Sequence, residues 1–184
     1  MRVRPEQLSA HLQRTLEPLY TVFGDEPLLC DEAASAIRNA ARLWGCVERQ
    51  VLNADTSFDW AVLATRTINL SLFGSRQIVE LHIVSGKPGT AGGAALEAYC
   101  ASLPGDTLTL VVLPKLDQKN QASSWFRALD GAGVTIAVYA VERAGLPGWI
   151  KARLAAQNQR VDREGMDFLV DRLEGNLLAA HQEI

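Results

Sequence analysis

The sequence is poor in the residues that build metal and redox centres. Its 184 residues include three cysteines and three histidines. Cys30, Cys46 and Cys100 form no C-x-x-C pair, which excludes a zinc knuckle and a dithiol redox site. They read as three small buried thiols of a reduced, cytoplasmic protein. His11, His82 and His181 have no partner histidine at i,i+4, so no metal site is expected. No apolar run approaches the roughly 20 residues of a membrane span. The opening "MRVRPEQLSAHL" lacks the apolar core of a secretory signal. An excess of positive charge is also missing: 18 Lys and Arg stand against 21 Asp and Glu, for a net charge of −3. That argues against strong nucleic-acid binding by this chain alone, because phosphate contact needs clustered cations. What is present is an ordinary globular composition, 48% hydrophobic and 21% charged, enough to bury a sizeable core.

Hydrophobic periodicity organises the chain. Residues 5–16 repeat leucine every four positions, a short helix. "LYTVFG" (19–24) is a continuous apolar run and reads as a buried strand. Pro27 suits the first helical position, with Asp25 or Glu26 as the cap. Ala33, Ile37, Ala40, Ala41 and Trp44 then form one apolar stripe, and Gly45 ends the helix. A strand follows at 48–54, a helix at 55–69, and a strand at 77–84 in which Val79, Leu81 and Ile83 alternate with Glu80 and His82. "SGKPGTAGG" reads as a flexible loop and 94–103 as a helix. "DTLTLVVLP" (106–114) is the most hydrophobic strand, hence central and parallel. One more helix and the strand 134–140 complete an alternation of strands and helices. That alternation implies a parallel sheet with helices on both faces. From Val141 onward the periodicity is only helical. The expected division is therefore 1–140, an α/β domain, and 141–184, a small helical domain. The second unit is too small to bury its apolar faces, and the sequence stops within a helical pattern. The chain is thus expected to be the N-terminal part of a longer protein.

In such a sheet the loop after the first strand is the default ligand site. A phosphate-binding version reads G-x-x-x-x-G-K-[ST]. Here "GDEPLLCDE" has one glycine, no following lysine and no Ser or Thr at the metal-binding position. Its two acids favour the helix N-terminus and repel phosphate. The strand 106–114 ends in Pro114 and Lys115 rather than in the acids that hold Mg²⁺. Asp117 reads as the cap of the next helix. No triad spacing and no Gly-x-Ser-x-Gly elbow occur. These absences point to a scaffold working by contact, with no catalytic centre, no cofactor and no metal. A nucleotide-dependent enzyme using Lys87 or Lys115, and a scaffold for some other protein partner, stay open as alternatives.

One short stretch stands out. "NLSLFGSRQ" (69–77) puts Leu70, Leu72 and Phe73 beside Gly74, where the chain can reverse sharply. Either these side chains staple a helix to the core, or they form an exposed apolar wedge that a partner covers.

Four blocks carry a family resemblance: "YTVFGDEPLLCDEA" (20–33), "SLFGSRQIVEL" (71–81), "LPGWIKARL" (146–154) and "EGNLLAAHQEI" (174–184). Together, and in this order, they resemble the delta subunit family of the bacterial DNA polymerase III clamp loader. The resemblance implies an AAA+-like (P-loop-type), mostly parallel α/β domain without a functional phosphate loop. A small all-helical lid domain follows it, incomplete here, and then a collar domain that this chain lacks. It implies no intrinsic catalysis, although the subunit belongs to a DNA-directed DNA polymerase and so to a nucleotidyltransferase. The family's wedge falls on Leu70, Leu72 and Phe73, which enter a hydrophobic pocket of the sliding clamp (the beta subunit) and spring the ring open. The implied partners are that clamp, the other loader subunits through the collar, and primed DNA in the intact loader only, with no membrane. The zinc module of the ATP-hydrolysing subunits and the Ser-Arg-Cys motif of the delta-prime subunit are both absent here.

Overall fold

The computed structural model describes residues 1–63, 76–173 and 176–183. It divides into two compact units, Met1–Val138 and Tyr139–Ile184.

Five strands form the sheet of the first unit: β1 (Leu19–Gly24), β2 (Cys46–Asn53), β3 (Arg76–His82), β4 (Thr107–Pro114) and β5 (Val134–Val138). Their spatial order is β2-β3-β4-β1-β5, and every neighbouring pair is parallel. β1 and β4 read as uninterrupted apolar runs because both lie inside the sheet with both faces covered. Helices α1 (Pro5–Arg14) and α2 (Pro27–Leu43) cover one face, where Leu8, Leu12, Ile37 and Ala41 pack on Tyr20, Val22, Leu110 and Ile136. The other face is covered by α3 (Gly89–Ala101) and by α5 (Ser124–Ala132), which follows the single-turn helix α4 (Gln118–Gln121). There Leu96, Phe126 and Leu129 meet Leu19, Phe23, Val79 and Val111. Residues 61–63 are helical, and Leu63 is buried in this second core.

Several expectations need correction. Residues 89–93 are helical rather than loop, despite three glycines. Two of those glycines leave room for indoles: a Cβ on Gly92 would lie 2.4 Å from Trp60, and one on Gly93 would lie 3.6 Å from Trp125. Trp44 is not part of a buried stripe. Gly45 (φ +92°) breaks the helix, so Trp44 becomes the C-cap and stays 45% exposed. Glu26 occupies the N-cap position of α2, but no side-chain capping bond forms there. Asp117, by contrast, caps α4 by accepting from the Asn120 N–H at 2.7 Å. Of the three thiols only Cys46 is buried; Cys30 and Cys100 are half-buried.

Glu80 is the largest departure from the alternating pattern. It is fully buried on the α2 face of β3. Arg38 of α2 donates to its Oε1 at 2.8 Å and Arg49 of β2 to its Oε2 at 2.8 Å, while His82 Nε2 lies 3.3 Å from Oε1. Burial alone would raise this carboxyl's pKa. The hydrogen bonds from His82 and Arg49 and the charges of Arg38 and Arg49 outweigh it, holding the group at about 2.

The second unit contains α6 (Leu146–Ala156), α7 (Arg163–Leu173) and α8 (Leu177–Glu183). Its buried side chains include Leu146, Ile150, Leu154, Val170, Leu173 and Leu177. Arg143 pairs with Asp171. Arg153 sits 4.1 Å above the Trp149 ring and contacts His181 Nδ1 at 3.0 Å. No described helix is long and apolar enough to cross a membrane.

Candidate functional site

Two places in the first unit bear on function, and they lie at opposite ends of its parallel sheet. At the carboxyl end the strand order reverses between β1 and β4. The chain leaves β1 for the far edge at β2, returns through β3 and β4, then passes over β1 to β5. Ligands of open α/β sheets bind in the crevice at such a switch point.

Here that crevice is crossed by the protein's own charges. β1 ends at Gly24, packed so closely against β5 that an added Cβ would stand 1.8 Å from the Val138 carbonyl oxygen. Asp25 follows and pairs with Lys115, the first residue after β4, at 2.5 Å. When the phosphate-loop pattern is laid on Gly24, Cys30 falls at the lysine position. Burial raises the Cys30 thiol, and the charges of Glu26 and Asp25 raise it further, to about 11. The helix N-terminus that would face phosphate therefore carries a neutral thiol in a field of carboxylates. Beside it, Ser85, Lys87, Lys115, Asp117 and Asn120 line an open cavity of about 280 Å³. Lys87 and Lys115 are thus brought together, but over a four-residue helix rather than a glycine-rich cradle. Among the described residues no group of His, Cys, Asp and Glu has the arrangement of a metal site.

At the amino end of the sheet lies the base of the second candidate. Leu70, Leu72 and Phe73 themselves fall within 64–75, outside the described residues. The residue on which that stretch rejoins the sheet is described. Arg76 opens β3, is in register with Cys46 of β2, and donates from Nη1 to the Trp44 carbonyl at 2.9 Å. Around this junction stand three apolar side chains that the sequence reading missed as surface: Leu43 (88% exposed), Trp44 and Val47 (77%). The glycine after Trp44 was the available signal, since a helix that ends there cannot continue its buried stripe.

The architecture is shared with known proteins. The Bacillus subtilis DNA clamp loader delta protein superposes with a TM-score of 0.69 at 17% identity, over 97% of this chain and 55% of that one. AMPPCP-bound DnaA from Aquifex aeolicus gives a TM-score of 0.59, also at 17% identity, over 96% of this chain and 57% of its own. The fold is therefore AAA+-like, with a helical C-terminal part. A family model described as "DNA polymerase III, delta subunit" matches residues 20–138. The chain is 33% identical over 184 residues to DNA polymerase III subunit delta of Escherichia coli, and 30% identical over 186 aligned positions to that of Haemophilus influenzae. The chain belongs to the DNA polymerase III delta subunit family. It spans about half the length of these two relatives, 54% of each.

Proposed function

We propose that this chain acts in a clamp loader of DNA polymerase III, binding the sliding clamp through Leu70, Leu72 and Phe73 and opening its ring for loading onto primed DNA. The observation that carries this reading is the alignment of the whole chain with subunit delta of two bacteria. The switch-point crevice supports the non-catalytic half of it. An ion pair spans the place a nucleotide would take, and the adjacent helix start repels phosphate. Energy for opening the ring then comes from contact. In the reading proposed here, 1–140 carries the wedge and 141–184 forms part of the lid. Other loader subunits are joined through the collar region of the longer relatives, and the assembly works in the cytoplasm.

A wedge opens a ring only by binding the sprung interface better than the closed one. Burying Leu72 and Phe73 contributes roughly 3–6 kcal/mol gross, reduced by the cost of ordering. That is enough to bias a strained ring and too little to separate a relaxed one. Surface plasmon resonance on immobilised clamp tests the reading. Leu72→Ala with Phe73→Ala should abolish binding while leaving the far-ultraviolet circular dichroism unchanged. An unfolded double variant would assign the pair to the core instead.

A further inference from the structure

We propose that the exposed corner formed by Leu43, Trp44 and Val47 is a second contact for the same ring-shaped partner, flanking the wedge. The inference rests on the clamp-binding reading above. Three observations carry it. First, the corner is apolar and open to water. Leu43 is 88% and Val47 77% exposed, Trp44 adds a half-exposed indole, and the three lie within five residues across the turn from α2 to β2. Isolated surface apolars are ordinary, but a cluster containing tryptophan and leucine is the composition of an interface centre. Beside it a groove of about 390 Å³ runs between α1 and α2, floored by Leu12 and Ala40 and closed at one end by Leu43 and Trp44.

Second, chain reach fixes its distance from the wedge. Arg76 touches the corner directly through the Trp44 carbonyl. Only three residues separate Phe73 from Arg76, and a fully extended chain spans at most about 3.6 Å per residue. The Phe73 Cα is therefore within about 11 Å of the Arg76 Cα, whatever path lies between. A standard protein interface covers about 800 Å² on each partner, a disc of about 16 Å radius. A partner centred on Phe73 with an interface of ordinary size overlaps the junction at Arg76 and reaches the corner. Third, the charges at the rim are mainly positive. Arg42 and Arg76 are exposed beside the apolar group, with Glu48 as the neighbouring acid. The matching partner surface is an apolar patch edged by carboxylates.

The test uses the purified chain and purified clamp, read by surface plasmon resonance and by tryptophan emission. Leu43→Ser, Trp44→Ser and Val47→Ser combined should raise Kd at least tenfold, with thermal unfolding unchanged because all three side chains lie at the surface. Should that triple variant fail to fold, Leu43→Arg alone serves, with the same expected direction. The wild type should show a blue shift of emission on adding clamp that Trp44→Phe removes. Wild-type binding that is lost in the Leu72→Ala, Phe73→Ala variant but unchanged in the corner variants overturns this proposal alone. Absence of wild-type binding overturns both readings. Concentration-dependent dimerisation of the chain, abolished by the corner variants in sedimentation, with clamp affinity untouched, assigns the corner to self-association and also overturns it.

Discussion

At the residue scale, Glu80 shows how a charge can be tolerated inside a sheet domain. A lone buried carboxylate would take up a proton. This one meets two guanidinium groups and an imidazole, so it stays ionised to about pH 2 against an ordinary value of 4.5. The folded state thus binds fewer protons than the unfolded chain between those values. The stabilisation is fully present above about pH 4.5 and is lost as the pH falls toward about 2. Glu80→Gln leaves Arg38 and Arg49 without their shared anion. Because Arg49 is partly exposed and Arg38 retains Asp31, the expected loss is about 2–3 kcal/mol, below that of a wholly buried pair. Urea unfolding at pH 7 measures the loss. Repeated between pH 5 and pH 3, it should show a shallower acid dependence in the variant than in the wild type. Equal dependence would remove Glu80 from the account.

At the scale of elements, close packing at one glycine sets the seam between β1 and β5. Gly24→Ala drives a Cβ into the Val138 carbonyl and should cost about 3 kcal/mol or more. For a chain of this size that is a fall in Tm of roughly 6–12 °C. Gly105→Ala, with nothing within 4 Å of its Cβ, is the control and should shift Tm little. Differential scanning calorimetry compares the two. The same scale explains what was legible in the sequence. β1 was readable residue for residue, because a strand buried on both faces leaves an unbroken apolar run. The missing phosphate loop was readable because that pattern is local. Glu80 was not: its arginines come 31 and 42 residues earlier, and in strand periodicity a buried acid looks like a solvated one. The helix start at Gly89 was hidden because glycine disfavours helix, whereas tertiary packing of Trp60 and Trp125 favours a face without side chains. The Asp25–Lys115 pair joins residues 90 apart and leaves no local trace. The corner at Leu43 was masked by helical spacing that carries on past the point where the helix stops.

For the molecule as a whole, the two ends of the sheet are assigned opposite tasks under the proposed function: one end is closed to nucleotide and the other presents apolar surface. Isothermal calorimetry with Mg-ATP should give no binding heat. Micromolar affinity would mean that the Asp25–Lys115 bridge opens for phosphate and would return the nucleotide-dependent reading. The strand order has a further consequence. β1 pairs only with β4 and β5, whose residues come more than 80 positions later in the chain. During translation, then, the most apolar early segment waits without either neighbour while most of this unit is still being synthesised. A ribosome paused ahead of Val134 would display "LYTVF" as a sticky, unpaired stretch, a natural landing place for a chaperone on the nascent chain.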